Sequence, residues 1–247
     1  MARFKTINDI VNQVAVETGL QRQADIFATA DSSFDQLITL ANACGYELLQ
    51  SNDWQTFTRT HKIVTASTDD GKYDLPDDYA YMVDQTAWEL TNSTPMSSLS
   101  PQEWTYLKGS DLVSHTIYAS FRLNEGQIWI FPYAGSTTPP PDGLEIEFEY
   151  ASRNWVNSHG VQGEYDDKCV NPDDIVLFEP YMFERLLKAR FLEARGFDSS
   201  GATAQLYAAA VSWAGKDKGA NILNAGRGRG GANYLSNCNA PDTGFGK

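Results

Sequence analysis

The sequence predicts an α+β fold: helices near both ends of the chain form a helical bundle, an antiparallel β-rich domain is inserted between them, and an extended C-terminal tail follows. Three observations predict this order. Apolar residues recur at helical spacing in 1–52 and 158–218, polar and apolar residues alternate over much of 53–157, and glycine and asparagine dominate 219–247. These four ranges are the predicted divisions of the chain.

The first range predicts two helices. Thr6 is the expected N-cap of the first helix, and Gly19 is the expected glycine just beyond its end. The apolar stripe of this helix is Ile7, Ile10, Val11, Val14 and Ala15. Ser33 and Gln36 have the spacing of a capping box at the start of the second helix. Cys44 lies on the apolar face of that helix and is therefore expected in the core.

The second range predicts strands and one short helix. The expected strands are Gln55–Val64, Met82–Trp88, Thr116–Leu123, Gln127–Pro132 and Leu144–Ala151. Asn124-Glu125-Gly126 separates two of them and predicts a tight hairpin. The helix is expected to begin after Ser100, with Pro101 in its first turn, and to end at Gly109.

The third range predicts two further helices. Asn171-Pro172-Asp173-Asp174 has the composition of a helix start, and the helix is expected to run to Gly196, with Pro180 either kinking it or dividing it in two. The last helix is expected over Ala202–Lys216. Its predicted buried stripe is Leu206, Tyr207, Ala210 and Trp213.

Charge separates the tail from the rest of the chain. Residues 219–247 hold three cations and the single anion Asp242, so the net charge of −13 divides into +2 for this range and −15 for the remainder. An acidic body argues against a general nucleic-acid-binding surface, which needs clustered lysine and arginine. The basic tail is either a solvated terminus or a segment that binds a partner.

The glycine-rich part of the tail, Gly226-Arg227-Gly228-Arg229-Gly230-Gly231, allows two interpretations. Its two arginines could contact a nucleic-acid strand, or they could form bidentate pairs with carboxylates of an acidic protein. The same residues match the spacing of a dinucleotide-binding fingerprint, but that motif requires a preceding strand and a following helix, and neither is predicted here.

No catalytic, cofactor-binding or metal-binding residues are predicted. Four aspartate pairs stand at turns or helix starts, where aspartate is favoured for local hydrogen bonds, and the three histidines are far apart. A hydrolase using Asp77 or Asp166 is kept as an alternative. The tryptophans of the β-rich range are expected in the core, although a sugar-binding surface would use the same residues.

The order of several motifs resembles that of a known family. The motifs are Asp53-Trp54-Gln55-Thr56-Phe57, Leu75-Pro76-Asp77-Asp78-Tyr79, Ser100-Pro101-Gln102-Glu103-Trp104, Asn154-Trp155-Val156 and Leu187-Lys188-Ala189-Arg190-Phe191. In this order they resemble the head-to-tail adaptor (connector) proteins of tailed bacteriophages, the tail tubular protein A-like group. The resemblance extends over about residues 5–215.

The resemblance implies a structural virion protein rather than an enzyme, with no cofactor. It implies a homo-oligomeric ring of about twelve copies in the virion neck, joining the portal protein to tail or nozzle proteins. Genomic DNA would pass through the ring without sequence-specific binding, and synthesis would take place in the host cytoplasm. The tail residues expected to dock on the portal are Arg227, Arg229, Tyr234, Leu235 and Phe245. The alternative function is a carbohydrate- or receptor-binding virion module.

Overall fold

The computed structural model describes residues 3–66, 68, 70–91, 93–109, 120–131 and 143–217. The helices within these ranges are α1 (Ile7–Glu17), α2 (Ser32–Ser51), α3 (Pro101–Gly109), α4 (Pro180–Ala194) and α5 (Ser200–Asp217). The strands are β1 (Lys5–Thr6), β2 (Thr58–Val64), β3 (Lys72–Asp74), β4 (Tyr79–Met82), β5 (Trp88–Glu89), β6 (Thr94–Pro95), β7 (Ser97–Ser98), β8 (Ser120–Asn124), β9 (Gln127–Phe131), β10 (Glu145–Ser152), β11 (Val156–Asn157), β12 (Tyr165–Asp166) and β13 (Ile175–Val176).

These strands form three sheets. The first sheet has the order β1-β13-β11-β12 and is antiparallel. The second has the order β2-β10-β5-β6, and β4 also pairs with β10. The third has the order β3-β9-β8-β7, in which β7 and β8 run parallel. The third sheet is therefore mixed.

The described residues contain two large clusters of buried side chains. The first cluster combines apolar faces of α1, α2 and α4 with residues of the first sheet and its flanks, among them Trp155, Val156, Val176 and Phe178. The second lies between the second and third sheets, with Ile63, Ile146 and Phe148 on one side and Phe121, Ile128 and Ile130 on the other. Helix-on-sheet packing thus forms the first cluster, and sheet-on-sheet packing forms the second.

The prediction of a helical bundle formed by the N- and C-terminal helices is wrong. The molecule is an α+β protein rich in short strands, and the terminal segments contribute a sheet as well as helices. Lys5 pairs with Val176 and Thr6 with Ile175, so a segment near the N-terminus pairs as an antiparallel strand with the segment that precedes α4. The inserted part is not purely antiparallel, because β7 pairs parallel to β8. The predicted tail lies outside the described residues.

The predicted helix start at Asn171–Asp174 is also wrong. Asp174 is buried, and its carboxylate accepts hydrogen bonds from the backbone N–H groups of His159, Val170 and Asn171 at 2.8–3.2 Å. The aspartate therefore closes a turn before β13 instead of capping a helix. The helix begins later, with Glu179 as its N-cap and Pro180 in its first turn, where proline is tolerated without a kink.

Several predictions of caps and turns are confirmed, and others are wrong in the residue or in the bounds of the element. Thr6 caps α1, and the apolar stripe of that helix is buried. The hairpin between β8 and β9 turns on Glu125 and Gly126, whose positive φ values of 55° and 76° suit a two-residue hairpin turn. In α2 the cap is Asp31 rather than Ser33. The expected strand over Met82–Trp88 is interrupted by a turn between β4 and β5.

Candidate functional site

A large open groove of about 1020 Å³ lies beside the second core. Its walls come from β4 and β5 of the second sheet and from β7 and β8 of the third, so both sheets line it. Ala87, Met96 and Phe121 are buried beneath it. The lining residues are Tyr79, Ala80, Tyr81, Met82, Asp84, Gln85, Ala87, Trp88, Pro95, Met96, Ser97, Ser98, Phe121 and Leu123.

Aromatic side chains of this groove remain open to solvent. Tyr81 is 42% exposed and Trp88 is 38% exposed, although large apolar side chains of this kind are usually buried. Leu123 on the opposite wall is also exposed. The Tyr81 hydroxyl donates a hydrogen bond of 2.8 Å to the Asp53 carboxylate, and burial together with this bond raises the pKa of Tyr81 to about 12. Tyr81 is therefore a neutral hydrogen-bonded side chain at ordinary pH.

A tight turn positions Trp88 at the groove. Thr86 donates from its hydroxyl to the Val83 carbonyl at 2.7 Å and accepts from the Glu149 N–H at 3.1 Å, which ties the turn to β10. Gln85 within this turn has a φ of 62°, a conformation that is uncommon for a residue with a side chain. The Met96 N–H donates to the Ala87 carbonyl at 2.9 Å and holds the following segment against Trp88. The groove wall is thus fixed by backbone and side-chain hydrogen bonds.

A second hollow, of about 520 Å³, brings together two of the four aspartate pairs. Asp77-Asp78 and Asp166-Asp167 line it with Arg59 and Arg153. Its centre is the Asp78 carboxylate, which accepts hydrogen bonds from Arg59 at 2.8 Å, Tyr150 at 2.9 Å and Ser152 at 2.6 Å.

These bonds give Asp78 a structural role. They tie Asp78 to Arg59 of β2 and to Tyr150 and Ser152 of β10, so three of the roughly four acceptor positions of its carboxylate are occupied within the fold. The structure thus places Asp77 and Asp166, the residues of the hydrolase alternative, beside one hollow that sequence spacing did not predict. Asp77 and Asp166 come close together because β10 pairs with β4 and β11 pairs with β12. A local sequence pattern does not show which strands pair.

The predicted core residues are only partly confirmed. Trp54, Trp104 and Trp155 are buried, whereas Trp88 is exposed at the groove. Cys44 is buried in α2, and burial raises the pKa of its thiol to about 12, as expected for an unreactive core cysteine. Tyr207, predicted to face the core, is instead exposed on α5.

The predicted portal-docking residues lie outside the described residues. These are Arg227, Arg229, Tyr234, Leu235 and Phe245. Across the described ranges, no three histidine, cysteine, aspartate or glutamate side chains converge as a metal site would require. In the same part of the chain, no helix has the length and apolar composition needed to cross a membrane.

No family model matches the chain, and no curated protein is similar to it in sequence.

Proposed function

We propose that this chain is a structural virion subunit that joins the portal to the tail of a tailed bacteriophage, as one copy of a head-to-tail adaptor ring. The observation that carries the proposal is the open apolar groove defined by Tyr81, Trp88 and Leu123. Exposed aromatic surface on a well-packed body is typical of proteins that bind other proteins. The resemblance of the motif order to adaptor proteins supports the more specific assignment.

Charge is consistent with this role. The body carries −15 and would repel the phosphates of DNA passing through a ring, so the conduit would not retain the genome. The tail carries +2, and Arg227 and Arg229 could pair with carboxylates of the portal protein. In this proposal tail or nozzle proteins bind the opposite side of the ring.

Attachment to portal-containing heads that lack this chain tests the proposal. We expect the full-length chain to co-sediment with the heads, whereas a chain truncated after Gly219 should keep its circular dichroism spectrum and fail to attach. Arg227→Ala combined with Arg229→Ala should weaken attachment, and Lys247→Ala, which removes a tail cation outside the docking set, serves as the matched control. Failure of the full-length chain to bind heads contradicts the adaptor role. Normal attachment of the truncated chain contradicts the role of the tail.

A second candidate is a carbohydrate- or receptor-binding virion module. It is favoured by Tyr81 and Trp88 standing beside Asp84, Gln85 and Ser97, because sugar sites combine aromatic faces with polar hydrogen-bonding groups. Titration with glycans, followed by tryptophan fluorescence, distinguishes the two functions. Saturable binding that is lost in Trp88→Ala and kept in Tyr106→Ala, an exposed aromatic of α3, would favour this second candidate.

A further inference from the structure

Two adjacent strands connect the two clusters of buried residues. We call the body around the first cluster the helical part (α1, α2, α4, α5 and the first sheet) and the body around the second cluster the sheet part (the second and third sheets). Trp54 and Phe57, before β2, and Trp155, after β10, are buried in the first cluster. Thr58 at the start of β2 pairs with Ala151 near the end of β10, so the two connections lie side by side. One pair of neighbouring strands between two separate cores is an arrangement that permits a hinge.

Strand β10 is irregular where it leaves the sheet part. Its register against β4 shifts between Ala151 and Ser152, and an irregularity of this kind bends a strand. The Arg153 N–H then donates to the Asp78 carbonyl of the sheet part at 2.8 Å. The side-chain amide of Asn154 donates at 3.1 Å to a carbonyl of β12, in the helical part. The chain therefore crosses from one part to the other between Arg153 and Asn154.

A small gap of about 10 Å³ lies between the two parts beside this crossing. The side-chain nitrogen Nδ2 of Asn52 is buried there and has no hydrogen-bond partner among the described residues. A buried donor without an acceptor is unfavourable, so this amide opposes the orientation that the structure shows. Movement of the two parts away from each other would let water reach Nδ2. The residues around the gap are Leu49, Asn52, Trp54 and Phe57 of the helical part and Ala80, Tyr81, Ala151 and Ser152 of the sheet part.

Side-chain contacts across the same boundary favour the present orientation. The Tyr81 hydroxyl on β4 donates to the Asp53 carboxylate, which follows α2, at 2.8 Å. The Arg59 guanidinium of β2 lies 4.1 Å from the ring centroid of Tyr165 on β12. Both contacts join partly exposed side chains, where a hydrogen bond or a cation–π contact contributes only modestly to stability. These contacts can therefore break without disrupting either core.

We propose that the sheet part turns relative to the helical part about the crossing at Arg153 and Asn154, and that the Tyr81–Asp53 bond is the latch that holds the orientation seen here. The latch and the buried Asn52 amide act in opposite directions, so two orientations of similar free energy coexist. The turn lets the sheet part, with its groove, adjust its position against a partner while both cores stay packed. This inference concerns the chain by itself and does not rest on the proposed function.

Distances between two spin labels, measured by pulsed electron paramagnetic resonance on the full-length chain, test the hinge. One label pair joins the two parts through Ala43→Cys on α2 and Val64→Cys on β2, both at exposed positions. A control pair within the sheet part uses Val64→Cys and Leu123→Cys and reports the motion of the labels themselves. Cys238→Ser is included in every sample, and the two cysteines of the described residues are buried.

Three substitutions are compared for each label pair. Tyr81→Phe removes the latch and should raise the population of the turned orientation roughly fivefold, the factor that an ordinary hydrogen bond contributes. Asn52→Leu removes the buried donor and should lower that population. Tyr106→Phe on α3, where the tyrosine is 66% exposed, is the matched control for the loss of a hydroxyl and should change neither distribution.

The hinge is overturned if the distances between Ala43 and Val64 are as narrowly distributed as those of the control pair, both in the wild type and in Tyr81→Phe. A broad distribution that Tyr81→Phe leaves unchanged overturns the latch. Opposite responses to Tyr81→Phe and Asn52→Leu, with the control pair constant, support the inference. None of these measurements uses portal-containing heads, so the hinge and the adaptor function can fail separately.

Discussion

At the scale of single residues, an ion cluster joins α1 to α4 and consists of Glu17, Arg185 and Lys188. We expect its loss to lower the stability of the fold. Glu17 accepts hydrogen bonds from Arg185 at 2.5 Å and from Lys188 at 2.9 Å, and Arg185 is buried. Glu17→Gln should lower the free energy of unfolding by roughly 3 kcal/mol, because a buried cation loses its carboxylate. Chemical denaturation measures this change.

The matched control for that substitution is Glu47→Gln. Glu47 pairs with Arg190, but both side chains are more than 40% exposed, so the loss should be below about 1 kcal/mol. Equal effects of the two substitutions would show that burial of the Glu17 cluster adds nothing to stability.

The same glutamate predicts a dependence of stability on pH. The hydrogen bond from Arg185, assisted by Lys188, lowers the pKa of Glu17 from 4.5 to about 2. Because the pKa is lower in the folded state, Glu17 stabilises the fold above pH 4.5, and this contribution is lost as the pH falls towards 2. The difference in thermal midpoint between the wild type and Glu17→Gln should therefore shrink over this window. A difference that stays constant down to pH 2 would contradict the assignment.

At the scale of elements, α2 packs against the indole of Trp155 through a glycine. A Cβ atom added at Gly45 would overlap the Trp155 ring, which is fully buried. Gly45→Ala should lower the free energy of unfolding by roughly 1–3 kcal/mol, although alanine favours a helix interior over glycine by about 1 kcal/mol. Gly201→Ala in α5, where a Cβ meets nothing within 4 Å, is the control and should cause no loss. Stabilisation by Gly45→Ala would mean that α2 does not approach Trp155 this closely.

Sequence patterns also predicted a helix or a turn correctly where the contacts that form it lie within the same short segment. The helix α3 begins as expected, because Ser100 and Glu103 form reciprocal hydrogen bonds of a capping box. Asp174 failed as a helix signal because aspartate serves turns and caps equally, and only its burial distinguishes them. No sequence pattern indicated that Trp88 is exposed, because alternation of polar and apolar residues does not show whether a second sheet covers a strand.

At the scale of the whole molecule, strand pairing between distant segments determines the architecture. The order of the predicted elements along the sequence did not reveal this pairing. Helices near both ends suggested a bundle, but β1 and β13 are only two residues long and carry no periodic pattern. Their pairing joins Lys5 to Val176 across most of the chain and turns the terminal part into a helix-and-sheet layer.

Electron microscopy of purified bacteriophage virions, in which the chain is located by labelling, tests the adaptor proposal. The adaptor proposal predicts a ring of density for the chain between portal and tail, with the acidic body around the DNA channel and the C-terminal segment ordered against the portal. Density for the chain only at fibre tips or on the capsid exterior would contradict the proposal and favour the receptor-binding alternative.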